Sequence, residues 1–89
     1  MYYVYIIYSA AVDVYYKGYT LDYDKRLEQH NDNKSRYTAH KGPWTLIFVQ
    51  EFKDKSDALK REKQLKRQNR AYLEWLLNQE INIKRIETK

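Results

Sequence analysis

The alternation of apolar and polar stretches along the chain predicts three strands and three helices. Residues 1–8 are β-branched or aromatic almost throughout, which is typical of a strand covered on both faces. Residues 14–19 predict a second strand that pairs with the first as a hairpin, and residues 44–52 predict a third. Helices are predicted over residues 21–31, 57–68 and 71–79. The order β-β-α-β-α-α favours an α+β domain in which a small three-stranded antiparallel sheet is flanked by three helices.

Polar residues near the ends of these segments predict the boundaries. Thr20 and Ser56 stand where the N-caps of the first two helices are expected. Residues 31–43 are rich in polar side chains and end in Gly-Pro, which indicates a loop ahead of the third strand. Residues 1–79 are expected to make one domain, followed by a loosely packed tail over residues 80–89, where apolar spacing is weak.

Composition excludes several kinds of site. The chain has no cysteine, so it has no disulfide, no thiolate zinc site and no cysteine nucleophile, which agrees with a reducing, cytoplasmic location. No apolar run approaches the length of about 20 residues that a membrane span needs. The whole excess of positive charge lies between residues 31 and 70, which hold eleven basic and five acidic residues. This predicts a footprint for a polyanion, although a solvated lysine-rich helix would give the same count.

One acidic residue interrupts the apolar stripe of the second predicted helix. Glu62 comes four residues after Ala58, three after Leu59 and three before Leu65, so it shares their face. A carboxylate among core positions is costly unless it is paired or binds a cation. Glu62 is therefore either an edge residue that pairs with a neighbouring Lys or Arg, or part of a metal or catalytic site.

Two further pairs stand out in the first half of the chain. Arg26 and His30 are four residues apart and project from one face of the first helix, where an arginine fork suits a phosphate and a histidine can move a proton. Tyr5 and Tyr16 stand on the two strands of the hairpin. Taken alone, the first pair is typical of a helix surface and the second of cross-strand packing.

Together these positions resemble the GIY-YIG nuclease superfamily. In chain order they are Tyr3-Val4-Tyr5, Tyr16-Lys17-Gly18, Thr20, Arg26, His30 and Glu62. Over roughly residues 1–75 the chain is most similar to the small stand-alone members and to the N-terminal domain of the repair subunit UvrC. It departs from the family motif at Tyr3, which replaces glycine, and at Lys17, which replaces isoleucine. The family fold, a three-stranded antiparallel sheet flanked by helices, agrees with the one that the apolar pattern predicts.

The resemblance implies hydrolysis of a nucleic-acid strand with one divalent metal ion, Mg²⁺ or Mn²⁺. It implies that Tyr16 is the general base, that Tyr5 is its neighbour in the pocket and that Arg26 holds the scissile phosphate. By the same resemblance, His30 would lie near the reacting groups and Glu62 would be the sole protein ligand of the metal. A free tyrosine has a pKa of about 10, so a basic role for Tyr16 requires a wet, electropositive cleft. The five residues are therefore expected to line one open hollow.

Basic residues outside these catalytic positions are expected to contact the nucleic-acid backbone. They are Lys34, Arg36 and Lys41 in the loop, and Lys53, Lys55, Lys60, Arg61, Lys63, Lys66, Arg67 and Arg70 in and around the second helix. Such contacts position the phosphates and read no sequence. Lys17 is expected either to reach the phosphate or to face solvent.

The predicted function is a metal-dependent endonuclease that acts on nucleic acid, DNA in the first instance, in repair or related processing. Two alternatives stay open. One is a nucleic-acid-binding module without turnover. The other is an accessory domain that binds a protein of a repair complex through an exposed patch of residues 75–77 on the third helix.

Overall fold

Three antiparallel strands form one sheet in the order β2-β1-β3, with three helices packed against it. The computed structural model describes residues 1–84. Its elements are β1 (Tyr2–Ser9), β2 (Val14–Thr20), α1 (Tyr23–Asn31), β3 (Thr45–Phe52), α2 (Lys55–Leu65) and α3 (Arg70–Leu76). The predicted α+β fold and the order β-β-α-β-α-α are confirmed. Within residues 1–84, no helix is long and apolar enough to cross a membrane.

Helices cover both faces of the central strand β1, which agrees with its apolar residues on both faces. Val4 and Ile6 point into a buried cluster with Phe48 of β3 and with apolar residues of α2 and α3. Tyr5 and Ile7 point to the other face, where they form a second cluster that α1 helps to cover. Successive strand residues alternate between the faces of a sheet, so the unbroken apolar run in β1 serves two cores at once.

The helices begin at different caps from those predicted. Asp22, and not Thr20, is the N-cap of α1, because its side chain accepts a hydrogen bond from the Lys25 N–H at 3.1 Å. Thr20 ends β2, and its hydroxyl accepts from the Asp22 N–H at 3.1 Å. Asp54 precedes α2 where Ser56 was predicted, so that prediction is also wrong. Asn69 caps α3 by accepting from the Tyr72 N–H.

The segment after α3 is attached to the outer edge of β3. Asn82 is 3% exposed, and its side-chain oxygen accepts from the Val49 N–H at 3.0 Å. Its amide nitrogen donates to the carbonyls of Ile47 and Leu77, and the Ile83 N–H donates to the Val49 carbonyl. The prediction of a loose tail is therefore wrong for this part of the segment, which pairs with a strand edge that would otherwise be open. Residues 85–89 of the predicted tail lie outside the described residues.

Candidate active site

Tyr5 occupies the centre of the site, and the glycine opposite it makes room for its ring. Tyr5 in β1 faces Gly18 in β2 in the register of the hairpin. A Cβ on Gly18 would lie 2.7 Å from Tyr5 Cε1, and closer still to Cζ and to the hydroxyl. Gly18 does not have a positive φ, so it is needed for space and not for an unusual backbone conformation. The Tyr5 hydroxyl consequently lies against β2, the edge strand of the sheet.

A buried chain of hydrogen bonds begins at this hydroxyl. Tyr5 Oη is 2.8 Å from His30 Nε2, and His30 Nδ1 is 2.6 Å from Thr38 Oγ1. The side chains of His30 and Thr38 are fully buried, and Tyr5 is 2% exposed. Thr38 stands in the loop between α1 and β3 and carried no signal in the sequence, because its contact with His30 depends on how that loop folds back over α1.

The second tyrosine lies on the same side of the sheet but closer to solvent. Tyr16 pairs with Ile7 in the hairpin register and not with Tyr5. Its ring centroid is 5.2 Å from that of His30 in an edge-on arrangement, and Tyr16 is only half-buried. Tyr16 is thus partly exposed, whereas Tyr5 and His30 are sealed from water. The expectation that all five residues line an open hollow is therefore wrong for Tyr5 and His30.

Electrostatic effects show that the predicted residues act on one another. Burial raises the pKa of Tyr5 to about 12, the nearby Arg26 guanidinium opposes this rise, and the charges of Tyr16 and Glu62 add to it. Burial, assisted by the positive charge of Arg26, lowers the pKa of His30 to about 4. At neutral pH both Tyr5 and His30 are therefore uncharged, and both interact with Arg26.

Arg26 is held in place by neutral partners. Its guanidinium donates to Gln29 Oε1 at 2.9 Å and to Ser35 Oγ at 3.3 Å. No carboxylate among residues 1–84 forms an ion pair with it, so its positive charge is not neutralised by the part of the chain that is described. Arg26 also lines an open groove together with Thr20 and Lys25. An anion in that groove would meet a fixed, charged fork.

Glu62 lies on α2, which covers the opposite face of the sheet from Tyr5. Ala58 and Leu65 of α2 are buried in the core, whereas Leu59, predicted on the same stripe, is 41% exposed. The Glu62 side chain is 21% exposed and pairs with Lys66 Nζ at 3.6 Å. One alternative from the sequence, an edge glutamate paired with a lysine, is thus present. The charge of Glu62 is also the smallest of the effects that raise the pKa of Tyr5.

The donor set suits a hard cation that keeps most of its water. Residues 1–84 contain no group of three or more His, Cys, Asp or Glu side chains arranged to hold a metal. A single half-buried carboxylate fits Mg²⁺ or Mn²⁺, which commonly bind through one or two carboxylates, several waters and substrate phosphate oxygens. Glu62 meets this requirement if its pairing with Lys66 opens.

The residues that depart from the family motif have structural partners. Tyr3 packs edge-on against Tyr23 of α1, with ring centroids 5.0 Å apart, and Val4 is fully buried in the core on the α2 side. Lys17 pairs with Ile6 in the hairpin register, so it lies on the opposite face of β2 from Tyr16. Burial and the nearby Lys66 lower the pKa of Lys17. Its register places it on the α2 side of the sheet and not beside Tyr16.

Two of the predicted nucleic-acid contacts are used within the protein. Arg70 forms a forked ion pair with Asp13, at 2.9 and 3.0 Å from the two carboxylate oxygens, and lies over the Tyr15 ring. Arg61 donates to the side chains of Gln50, Gln64 and Tyr72. Their guanidinium groups are therefore engaged in holding α2 and α3 to the sheet.

The remaining predicted contacts are exposed to solvent. They are Lys34, Arg36, Lys41, Lys53, Lys55, Lys60, Lys63, Lys66 and Arg67. Lys60, Lys63 and Arg67 line one open groove along α2, together with two glutamines. The predicted patch of residues 75–77 is not formed as expected, because Leu76 is fully buried while Trp75 is 56% exposed.

Comparisons with known proteins identify this α+β fold as a small nuclease-type domain. Residues 1–78 match the model of the GIY-YIG catalytic domain. UPF0213 protein VNG_2274C from Halobacterium salinarum is 38% identical over 77 residues, covering 85% of this chain and 99% of that protein. UPF0213 protein YazA from Bacillus subtilis is 37% identical over 71 residues, covering 79% and 72%.

A solved structure agrees with these matches. The solution NMR structure of UPF0213 protein BH0048 from Bacillus halodurans has a TM-score of 0.57 and 32% identity, and the match covers 91% of this chain and 87% of that one. The chain belongs to the GIY-YIG family, among relatives that carry the UPF0213 name. Membership implies a nuclease-type function, binding of nucleic acid and, as is general for these nucleases, dependence on a divalent metal.

Proposed function

We propose that this protein is a metal-dependent endonuclease that hydrolyses phosphodiester bonds in DNA during repair or related processing. The observation that carries the proposal is that groups from three other elements, α1, β2 and α2, act on the Tyr5 hydroxyl or on its histidine partner. His30 bonds to it, Tyr16 lies against the same histidine, and Arg26 and Glu62 both act on its pKa. These are the residues that the family resemblance implies for strand cleavage.

The different burial of the two tyrosines supports different roles for them. Tyr5, with a raised pKa and 2% exposure, keeps its proton at neutral pH and serves as a hydrogen-bonding group. Tyr16 is the tyrosine that water reaches, so it is the general base that takes a proton from the attacking water. Arg26, whose charge acts on the Tyr5 hydroxyl, is proposed to supply the positive charge that this step requires.

Arg26 also holds the scissile phosphate. Gln29 and Ser35 fix the guanidinium without cancelling its charge. A preorganised, charged donor of this kind stabilises the negative charge that grows on the phosphoryl group during attack.

Glu62 is the proposed protein ligand of Mg²⁺ or Mn²⁺. When bound, the metal supplies charge stabilisation at the phosphoryl group and at the leaving oxygen. Binding there would separate Glu62 from Lys66, which would leave the lysine free to contact a phosphate.

The substrate backbone is proposed to follow the exposed basic residues of α2. Lys60, Lys63 and Arg67 share a groove there, and contacts of this type attract a strand without reading its sequence. Selection of a target would then come from the shape of the DNA or from a protein partner in a repair complex. A cytoplasmic location, expected from the composition, would suit such a substrate.

The test is a cleavage assay with the purified protein. Branched, nicked, duplex and single-stranded DNA, and RNA of the same sequence, are incubated with Mg²⁺, with Mn²⁺ or with a chelator. Metal-dependent cleavage is expected, and Glu62→Ala, Arg26→Ala and Tyr16→Phe are each expected to lower kcat by about 100-fold or more. Glu74→Ala, an exposed glutamate on α3, is the matched control and is expected to keep full activity.

Absence of cleavage on every substrate, or equal cleavage by Glu62→Ala, would refute the proposal. The ion pair between Glu62 and Lys66 favours a second candidate, a binding module without turnover, because it occupies the proposed metal ligand. Salt-sensitive binding of nucleic acid by a protein that cuts none of these substrates would support that candidate instead.

A further inference from the structure

An exposed tryptophan and a neighbouring tyrosine form an aromatic surface on α3. Trp75 is 56% exposed, and its ring centroid is 5.5 Å from that of Tyr72, which precedes it by three residues. Both rings line one open groove together with Ile81, which is 45% exposed. Leu76 is fully buried, so α3 is anchored in the core while Trp75 faces solvent. A contiguous apolar surface on an anchored helix is a candidate interaction site.

A positive charge lies beside these rings. Arg61 of α2 lines the same groove, and its guanidinium donates to the Tyr72 hydroxyl at 3.4 Å. Its other partners are the side-chain oxygens of Gln50 and Gln64. No carboxylate in the described part of the chain forms an ion pair with Arg61, so these neutral partners hold the guanidinium without cancelling its charge. Glu80 also lines the groove, so the groove is amphoteric where it ends at Glu80 and positive where it meets α2.

The aromatic groove adjoins the basic groove of α2. Lys60, Lys63 and Arg67 line the basic groove together with Gln64. Gln64 accepts a hydrogen bond from Arg61 at 2.7 Å, so the two grooves meet at this bond. Three cations along the approach favour a strand of phosphates as the occupant of the combined surface. A basic track that ends on aromatic rings is the combination by which proteins bind single strands, with phosphates on the track and unpaired bases on the rings.

We propose that Trp75 stacks on an unpaired base of a single-stranded nucleic acid whose phosphates lie along the basic groove of α2. The inference rests on the proposed function in one respect, that the ligand is nucleic acid, and it adds that the substrate has an unpaired stretch. The bases of a duplex stack on one another, so a duplex offers none to the indole. Every base has an aromatic face, so this contact adds affinity without reading sequence.

Intrinsic fluorescence tests the stacking without any assay of activity. The chain contains two tryptophans, and Trp44 is 4% exposed, so a base that binds at the surface can stack only on Trp75. The probe is a deoxythymidine oligonucleotide of about 12 nucleotides, added with a chelator to prevent cleavage. It is expected to quench the emission, whereas an abasic strand with the same number of phosphates and a duplex of the same length are expected to bind without this quenching. A bound deoxythymidine strand that leaves the emission unchanged, or equal quenching by the abasic strand, would overturn the proposal.

Substitutions measure the contribution of the ring to affinity. Trp75→Ala is expected to weaken binding of a labelled deoxythymidine strand, followed by anisotropy, by about 10-fold. The slope of log affinity against log salt is expected to stay the same, because no phosphate contact is lost. Trp75→Phe, which keeps an aromatic ring, is expected to retain most of the affinity and to lose the quenching. Tyr37→Ala removes an equally exposed ring from the loop between α1 and β3 and is the matched control, expected to bind as the wild type does. Unchanged affinity in Trp75→Ala, or an equal loss in Tyr37→Ala, would contradict the assignment.

The outcomes separate this inference from the proposed function. A protein that cuts no substrate but shows the quenching refutes the endonuclease and supports the role of Trp75. Cleavage of DNA together with unchanged binding by Trp75→Ala does the reverse. If the emission of Trp75 changes with protein concentration and with no oligonucleotide, and sedimentation shows a dimer, a second copy covers the surface and the inference is wrong.

Discussion

Acidification from pH 7 to pH 5 is expected to destabilise this protein through one buried histidine. His30 has no exposed surface and a pKa lowered by burial to about 4, against an ordinary value of about 6.5. The unfolded chain therefore binds a proton at pH 5 that the folded chain does not bind. The stabilisation that His30 provides by remaining neutral is present above pH 6.5 and is lost as the pH falls towards 4.

The size of the effect follows from the two pKa values. Linkage gives a decrease in the free energy of unfolding of about 2 kcal/mol between pH 7 and pH 5, and of about 3 kcal/mol once the pH reaches 4. Asp13 contributes little in this range. Its pKa is lowered in the folded protein, so the stabilisation that it provides is lost only as the pH falls through 3.8, the ordinary pKa of the group, and below. Between pH 7 and pH 5 the effect of histidine titration is therefore largely separated from that of the carboxylates.

Urea unfolding at pH 7, 6 and 5 measures the effect. Trp44 is a suitable fluorescent reporter, because it is buried and donates to Thr38, next to His30. His30→Gln is expected to flatten the pH dependence whatever its own stability, while His40→Gln, an exposed change, is expected to keep the wild-type slope. Equal slopes in the wild type and in His30→Gln would refute the assignment of His30 as a neutral, buried group.

Four other substitutions test three separate parts of the structure. Gly18→Ala brings a Cβ against the Tyr5 ring and is expected to reduce the free energy of unfolding by about 1–3 kcal/mol. The rate of cleavage is expected to fall as well. A variant as stable as the wild type would contradict the close contact. Asn82→Ala removes hydrogen bonds to β3 and is expected to lower the free energy of unfolding by about 2 kcal/mol in the same urea assay. An unchanged free energy of unfolding would show that the segment is not attached to β3. Arg67→Ala is expected to lower the slope of log affinity against log salt by about one, whereas Arg70→Ala, paired with Asp13, is expected to lower the melting temperature and keep the slope; the reverse pattern would exchange their roles.

The fold could be predicted because the apolar runs are long and differ in period. Residues 2–9 lack a polar face, which requires cover on both sides, and the structure supplies it with α1 on one face and α2 with α3 on the other. The N-cap residues of the helices were harder to predict, because several residues that could cap a helix lie within a few positions of one another. Thr20 extends β2 by one residue, so Asp22 becomes the cap of α1, and only the end of the strand decides between them.

The site was predictable where a residue conflicts with its own helix or strand. Glu62 stood out because a carboxylate occupies an apolar stripe; the structure pairs it with Lys66, and its role as a metal ligand stays a prediction. Thr38 gave no such signal, because its partner is set by a loop. Charge alone also failed to separate Arg70 from Arg67, since Asp13, which binds Arg70, is distant in the sequence and becomes its neighbour only after the hairpin and α3 have packed.

The two tyrosines lie at different depths, and this difference supports the separate roles proposed for them. A phenol sealed beside a histidine keeps its proton and can only orient, because burial disfavours its anion. The phenol of Tyr16 is only half-buried, so water can reach it. Gly18 permits this separation, since any larger residue would push the Tyr5 ring away from β2 and away from His30. Gly18, the third residue of the second motif, therefore makes room for the position of Tyr5, the third residue of the first motif.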